Sequence, residues 1–245
     1  MTNRVGSVAD LERVLLRERT WRYLRYMHLR EAFELTEGVR TVLCVGAGKA
    51  YAELALALEY PDVEFRITDI ESERTPNYQV AEGIAKKLEL PNISFGVLDI
   101  FQPPSGTWDL VTSIETLEHL EDDATAAHNM LALSDRYVFA LVPFAHKAAN
   151  ANPRLREKVW RNQEHFRVGY DEEELAALFP RTVEMRGCYF EEGQELRRDL
   201  MALENDQIDA RAEELLQRAR GDIRYEIPRA LPEALGIWTL ARAHA

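Results

Sequence analysis

Cysteine is almost absent from this chain of 245 residues: Cys44 and Cys188 are the only two. Two cysteines make neither a disulfide framework nor a zinc-binding pattern. Positive charge is also short. Lys and Arg number 30 against 42 Asp and Glu, a formal net charge of −12. Such a surface repels polyanions, so no nucleic-acid partner is expected. No apolar run approaches the length of a membrane span, and no membrane partner is expected either. The opening stretch MTNRVGSVADLERVLLRER lacks the hydrophobic centre of a secretory signal. A soluble, cytoplasmic protein is the expectation. Internal repeats and low-complexity linkers are missing too, which excludes solenoids and tethered modules.

What is present suits a globular enzyme. The chain is 46% apolar and 29% charged, and long enough to bury one large core. Apolar runs alternate with helical patterns. Strands are predicted over Thr41–Val45, Val63–Thr68, Ile93–Leu98, Trp108–Ile114 and Tyr137–Val142. Helices are predicted over Ala50–Glu59, Tyr78–Leu88, Ala124–Leu133 and Asp171–Leu178. This alternation predicts a parallel sheet with helices on both faces, and ligands at the C-terminal ends of its strands. Ahead of it, residues 8–35 read as helix in two pieces. They form either a packing stripe with a solvated face or a lid in which Trp21, Tyr23 and Tyr26 face a substrate. After it, Thr182–Phe190 reads as a strand, Gln194–Arg220 as an amphipathic helix or helix pair, and Gly236–Arg242 as the last strand. Two late strands predict an antiparallel hairpin closing the sheet.

The stretch VLCVGAGKAY, Val42 to Tyr51, sets Gly46 and Gly48 between the first strand and a helix. Glycine permits a tight turn and lets backbone N–H groups approach a ligand. A dinucleotide-binding dehydrogenase would carry a further glycine at position 51. Tyr51 stands there instead, and its side chain would obstruct a pyrophosphate. The second strand ends in FRITDI, which places Asp69 at its tip, 23 residues after Gly46. A carboxylate there accepts the hydroxyls of a ribose. The third strand ends in VLDI, which places Asp99 among apolar neighbours. Such an acid suits the exocyclic amine of an adenine, with Ile70 and Ile100 on the ring faces. Asp109 opens the fourth strand and reads as structural.

With these motifs in order, the chain resembles the class I S-adenosylmethionine-dependent methyltransferases. V-L-C-V-G-A-G, T-D-I, V-L-D-I and W-D-L-V-T-S-I-E-T-L-E-H-L carry the resemblance over roughly residues 38–190 and the last strand. The last element is similar to the branch of ubiquinone-biosynthesis-type and other small-molecule methyltransferases. The resemblance implies an α/β fold: a seven-stranded Rossmann-like sheet, mostly parallel, with helices on both faces. It implies one domain over 1–245, with a helical cap at 1–37, a cofactor-binding core at 38–190, a helical insertion at 191–228 and a last strand at 232–245. S-adenosylmethionine is the implied cofactor and S-adenosylhomocysteine the product. Gly46, Ala47, Gly48, Asp69, Ile70, Asp99, Ile100, Ser113, Ile114 and Glu115 are the implied cofactor residues. Two departures stand out. Family members often carry an acid where Cys44 stands and a third glycine where Ala50 stands.

The implied reaction is methyl transfer to a small-molecule acceptor, with a hydroxyl or carboxylate oxygen favoured. A hydroxyl acceptor needs a base, and histidine titrates near working pH. His119 and His165 are the catalytic candidates. His146 is a third, with a solvated loop as its plain alternative. His119 could instead orient its loop, and His165 could pin its loop to the sheet. Glu115-x-x-Glu118-His119 with His165 also resembles the metal site of small-RNA 3′-end 2′-O-methyltransferases. Against that reading, the stretch after His165 is FRVGY and the chain lacks the basic surface an RNA duplex requires. No metal is therefore assigned. A protein that binds the cofactor without transferring a methyl group is a further alternative, and a homodimer is left open.

Overall fold

The computed structural model describes residues 21–70, 77–190, 202–226 and 236–244, together with residues 9, 12, 13 and 199. The first strand dictates the layering. In β1 (Thr41–Val45), Val42 and Cys44 join one apolar cluster while Leu43 and Val45 join another. All four are at most 5% exposed. Successive side chains of a strand point to opposite faces, so a strand buried on both must be covered on both. β5 (Ser134–Pro143) repeats the device. Tyr137, Phe139 and Leu141 enter the first cluster, and Val138, Ala140 and Val142 the second.

The remaining strands are β2 (Glu64–Asp69), β3 (Ile93–Val97), β4 (Trp108–Ile114), β6 (Thr182–Phe190), β7 (Ile223–Glu226) and β8 (Gly236–Arg242). They form an eight-stranded sheet in the order β3-β2-β1-β4-β5-β8-β6-β7. β1 to β5 run parallel, and β8 lies antiparallel between β5 and β6. The chain order reverses between β1 and β4. The connections leaving those two strands diverge there and open a crevice at their C-terminal ends.

Among the described residues eight helices follow in chain order: α1 (Trp21–Glu34), α2 (Tyr51–Glu59), α3 (Asn77–Lys87), α4 (Asp123–Ala132), α5 (Pro153–Gln163), α6 (Glu172–Leu178), α7 (Asn205–Ala210) and α8 (Ala212–Asp222). Single turns of helix stand at Leu117–His119 and Lys147–Asn150. On one face of the sheet, Leu29, Leu54, Ala81 and Leu215 pack with Val42, Phe139 and Trp238. On the other, Met130, Leu175 and Phe179 pack with Leu43, Val111 and Val138. No helix among the described residues is long and apolar enough to cross a membrane.

The predicted strands are all present, within a few residues of their expected ends. Asp109 is structural: its Oδ2 accepts from the N–H groups of Arg40 (2.8 Å) and Thr41 (3.0 Å) at the end of the sheet away from the crevice. Four expectations change. First, the helix pair that was one alternative for the stretch to Arg220 is present among the described residues as two short helices broken at Arg211, but it is followed by an unexpected strand, β7, which pairs antiparallel with β6. The sheet thus gains a strand beyond the expected seven. Second, α5 was not anticipated, because none of its residues is buried and its apolar side is limited to Leu155, Val159 and Trp160 among charged residues. Asn152 caps it, accepting from the N–H of Arg154 at 3.0 Å, and Pro153 occupies its first turn. Third, Tyr26 does not face a substrate. It is 1% exposed and donates to Glu59 Oε2 at 2.9 Å, while Arg30 Nε donates to Glu59 Oε1 at 2.9 Å. These bonds lock α1 onto α2. Fourth, Gly221, which follows Arg218 and Arg220 as a helix stop would, lies inside α8. The side chains of Trp21 and Tyr23, and most of the predicted helix before Trp21, lie outside the described residues.

His28 on α1 is fully buried, and burial lowers its pKa from 6.5 to about 3. The folded chain keeps it neutral, whereas the unfolded chain takes up a proton near 6.5. Its stabilising effect is complete above that pH and is lost as pH falls toward 3. Urea titrations at a series of pH values should show the parent losing stability below pH 6.5 more steeply than His28→Leu, by up to about 1.4 kcal/mol per pH unit. Parallel curves for the two proteins would contradict the assignment.

Candidate functional site

The crevice is built around the turn after β1. Gly46 takes φ +65°, and a Cβ there would lie 2.4 Å from Thr116 Cγ2, beyond the end of β4. Thr116 Oγ1 donates to the Gly46 carbonyl at 3.1 Å. Only glycine lets these two strand ends come this close. Gly48 also has positive φ, +53°, but a Cβ there would meet nothing within 4 Å. Its surroundings are open to a ligand. Ala50 adopts φ 50° at the start of α2, a left-handed conformation that glycine takes without strain. The backbone therefore keeps the shape of a third glycine although the residue is alanine.

The turn is fastened to β2. Gly48 N–H donates to Asp69 Oδ2 at 2.9 Å, and Ala47 N–H donates to the Thr68 carbonyl at 3.0 Å. Ile70 N–H donates to Asp69 Oδ1 at 2.8 Å. Asp69 thus stands at the lip of the turn, one oxygen on each side. Asp99 stands one strand further out. Its carboxylate accepts from Phe101 N–H at 2.9 Å and from Gln102 Nε2 at 3.1 Å. Between the two acids the edge is apolar and uncovered: Ile70 is 58% exposed, Val97 61% and Phe101 42%. Ile100 differs. It is 6% exposed and packs in the core with Leu98 and Val111, so its side chain is turned away from the place expected for a ring face.

A cavity of about 210 Å³ opens beside the turn. Gly46, Ala47, Gly48, Ile114 and Glu115, five of the residues assigned to the cofactor from the sequence, line it. Ser113 does not reach it: it is 2% exposed within the sheet, and its hydroxyl has no hydrogen-bond partner among the described residues. Glu115 takes φ 50° and forms an ion pair with Arg25 of α1. Tyr51 stands in the wall, 9% exposed, where it narrows the space beside the turn. Lys49, Ala50 and Ala52 also line the cavity, as do Arg25 and Glu53, two residues that no sequence motif singled out. Glu53 is 4% exposed, and burial pushes its carboxyl up to about 7.

His119 and His165 meet edge to face, with ring centroids 4.4 Å apart. The turn Leu117–His119 supplies the first and the loop after α5 the second. Phe166 N–H donates to the Glu118 carbonyl at 2.8 Å and ties the two segments together. Asn150 holds the same loop, accepting from Val168 N–H and donating to the Gly169 carbonyl, both at 2.8 Å. Arg167 bridges Asp123 and Glu174 at 2.8 and 3.0 Å. Burial lowers His165 to about 4, helped by the neighbouring His119. His119 keeps one side in solvent. Its pKa is lowered by burial of the other side, against an opposing pull from the Glu164 backbone carbonyl. Both rings are therefore neutral near pH 7. Glu118 lies beneath them, 1% exposed, with neither carboxylate oxygen partnered among the described residues, and burial pushes it up to about 8. One ligand atom from each of Glu118, His119 and His165 falls within 4.8 Å of the others. His146 stands apart, exposed at the start of the turn Lys147–Asn150 with its ring against Phe144.

A second cavity, of about 410 Å³, adjoins His165. Pro153, Arg156 and Trp160 of α5 line it together with Phe166, whose ring meets Trp160 at 4.9 Å. The sequence left this segment as a plain connection. The Asn152-Pro153 pair, a cap followed by a first-turn proline, was the available signal for its helix.

No protein-family model matches the chain, and no curated protein matches its sequence. Solved structures do. The YcgJ protein of Bacillus subtilis is 15% identical with a TM-score of 0.56, over 89% of this chain and 97% of that one. Phosphoethanolamine N-methyltransferase 2 of Haemonchus contortus, solved with S-adenosylmethionine, is 12% identical with a TM-score of 0.60. The match covers 90% of this chain and 52% of that one. The 4+2 cyclase SpnF is 12% identical with a TM-score of 0.60, over 92% of this chain and 84% of that one. At these identities the likeness is one of fold, and it agrees with the strand order and the crevice between β1 and β4. The chain has the Rossmann-like fold of the class I S-adenosylmethionine-dependent methyltransferases.

Proposed function

We propose that this chain transfers a methyl group from S-adenosylmethionine to a small-molecule acceptor, at a hydroxyl or carboxylate oxygen. One observation carries the reading: the open Gly48 turn, Asp69 and Asp99 succeed one another along the crevice in the order that a tail, a ribose and an adenine require. The chain's residues fit such a nucleoside. Asp69 holds the turn through one oxygen and keeps lone pairs for ribose hydroxyls. Asp99 receives the adenine amine, and the exposed Ile70, Val97 and Phe101 cover the ring. Tyr51, in the wall of the turn, disfavours a dinucleotide pyrophosphate. When bound, S-adenosylmethionine supplies a methyl group on a sulfonium, open to in-line displacement.

The acceptor side is the cavity beside His165. Trp160 and Phe166 offer apolar ring faces, and Arg156 offers a positive charge. This wall suits a flat or partly apolar molecule with an anionic substituent. Catalysis on this reading is chiefly alignment of the acceptor oxygen with the methyl group. His165, lowered to about 4, is a weak base, and a carboxylate acceptor needs none. A second reading rests on the convergence of Glu118, His119 and His165 within 4.8 Å. One carboxylate and two imidazoles would suit a divalent cation that orients acceptor oxygens. Its link to RNA is opposed by the net charge of −12.

Two experiments test these readings. Asp69→Ala should weaken S-adenosylhomocysteine binding by about 1.5–3 kcal/mol, roughly tenfold to a hundredfold, in calorimetry. NADH should not bind. Unchanged affinity in the variant would remove Asp69 from the site. In turnover with a panel of small-molecule acceptors, His165→Ala should bind cofactor normally and lose about tenfold or less in rate. A loss of about 10²–10⁴-fold would establish a base instead. A chelator should leave the parent's rate unchanged, whereas loss restored by Mg²⁺ or Mn²⁺ would establish the second reading.

A further inference from the structure

Resting on that cofactor reading, we propose that Glu53 is the carboxylate that binds the α-ammonium group of the cofactor's amino-acid tail. Glu53 sits in the first turn of α2 and forms part of the wall of the 210 Å³ cavity. It is 4% exposed. Among the described residues no cation reaches it to form an ion pair, although Arg25 is near enough to act on it through space. Glu53 is also near enough to Cys44, a buried thiol of β1, for its charge to act on it. A buried acid without a cation is costly, and chains seldom carry one without use.

The rest of the wall says what would fill the space. Arg25 projects from α1 into the same cavity, held there by its ion pair with Glu115. One wall thus offers a negative and a positive group, the complement of a zwitterion. The Gly48 N–H and Asp69 mark where a ribose would lie, at the cavity's rim. A chain of a few carbons leaving the 5′ end of that ribose enters the cavity and ends in an ammonium and a carboxylate. Glu53 meets the ammonium and Arg25 the carboxylate. Burial pushes the Glu53 carboxyl up to about 7 against the lowering effect of its own backbone N–H and of the Arg25 charge, and a bound ammonium returns it to the charged form.

The test compares two ligands that share the nucleoside and differ in the tail. S-adenosylhomocysteine carries the amino acid; 5′-methylthioadenosine does not. In calorimetry, Glu53→Gln should bind S-adenosylhomocysteine about tenfold to a hundredfold more weakly than the parent and bind 5′-methylthioadenosine as the parent does. Unchanged S-adenosylhomocysteine affinity, or equal weakening of both ligands, would overturn the assignment. The unaltered protein gives a second measurement that needs no variant. An S-adenosylhomocysteine analogue lacking the α-amino group should bind more weakly by the same factor, and full retention of affinity would overturn the proposal. A parent that binds neither nucleoside would overturn the cofactor reading itself, a result distinct from the failure of Glu53 alone.

Discussion

The crevice depends on the approach of Gly46 to Thr116. The turn after β1 passes so close to the end of β4 that even a methyl group at position 46 would lie 2.4 Å from the threonine side chain. That approach fixes the turn, and the turn fixes Gly48, whose N–H is then delivered to Asp69 at 2.9 Å. The strand ends β1, β2 and β4 are thereby joined by short polar contacts, while the core beneath them is held by apolar packing on both faces. A rigid edge of this kind presents ligand-binding groups without ordering them at the moment of binding. The left-handed Ala50 shows that the backbone shape, and not the glycine count, is what the site preserves.

Much of this was legible in the sequence, for identifiable reasons. β1 and β5 are continuous apolar runs because helices cover both faces of the sheet, and such runs are conspicuous. Asp69 and Asp99 could be placed because each stands at the C-terminal tip of an apolar run, Asp69 as the last residue of β2 and Asp99 just past β3. The unforeseen parts share a cause. α5 buries none of its residues, and its one apolar face, Leu155, Val159 and Trp160, is a weak signal in a stretch of charged side chains. Glu53 and Glu118 are acids that the fold buries, against the default that acids face water. Ile100 was assigned to the ligand edge by its place beside Asp99. The tight turn there, closed by Gln102 N–H on the Asp99 carbonyl at 2.9 Å, carries its side chain into the core and leaves Phe101 outside.

The two histidines illustrate the distinction between convergence and chemistry. His119 and His165 come from segments about 46 residues apart and meet ring to ring, as a shared role would require. Yet the bonds that bring them together, Phe166 N–H to the Glu118 carbonyl and the Asn150 clamp on Val168 and Gly169, are those of a loop pinned to a sheet. Desolvation then makes both rings poor proton acceptors. The same loop forms one side of the 410 Å³ cavity, so on the proposed reading its rigidity would serve alignment whether or not a ring moves a proton.

The central claim is that the edge of the sheet from Gly48 to Asp99 is a nucleoside site. A crystal structure of the protein grown with S-adenosylhomocysteine measures it directly. The account predicts the ribose hydroxyls within hydrogen-bonding distance of Asp69, the adenine amine at Asp99 and the ring against Ile70, Val97 and Phe101. A ligand bound elsewhere on the chain, or in this crevice with its ribose away from Asp69, would contradict it.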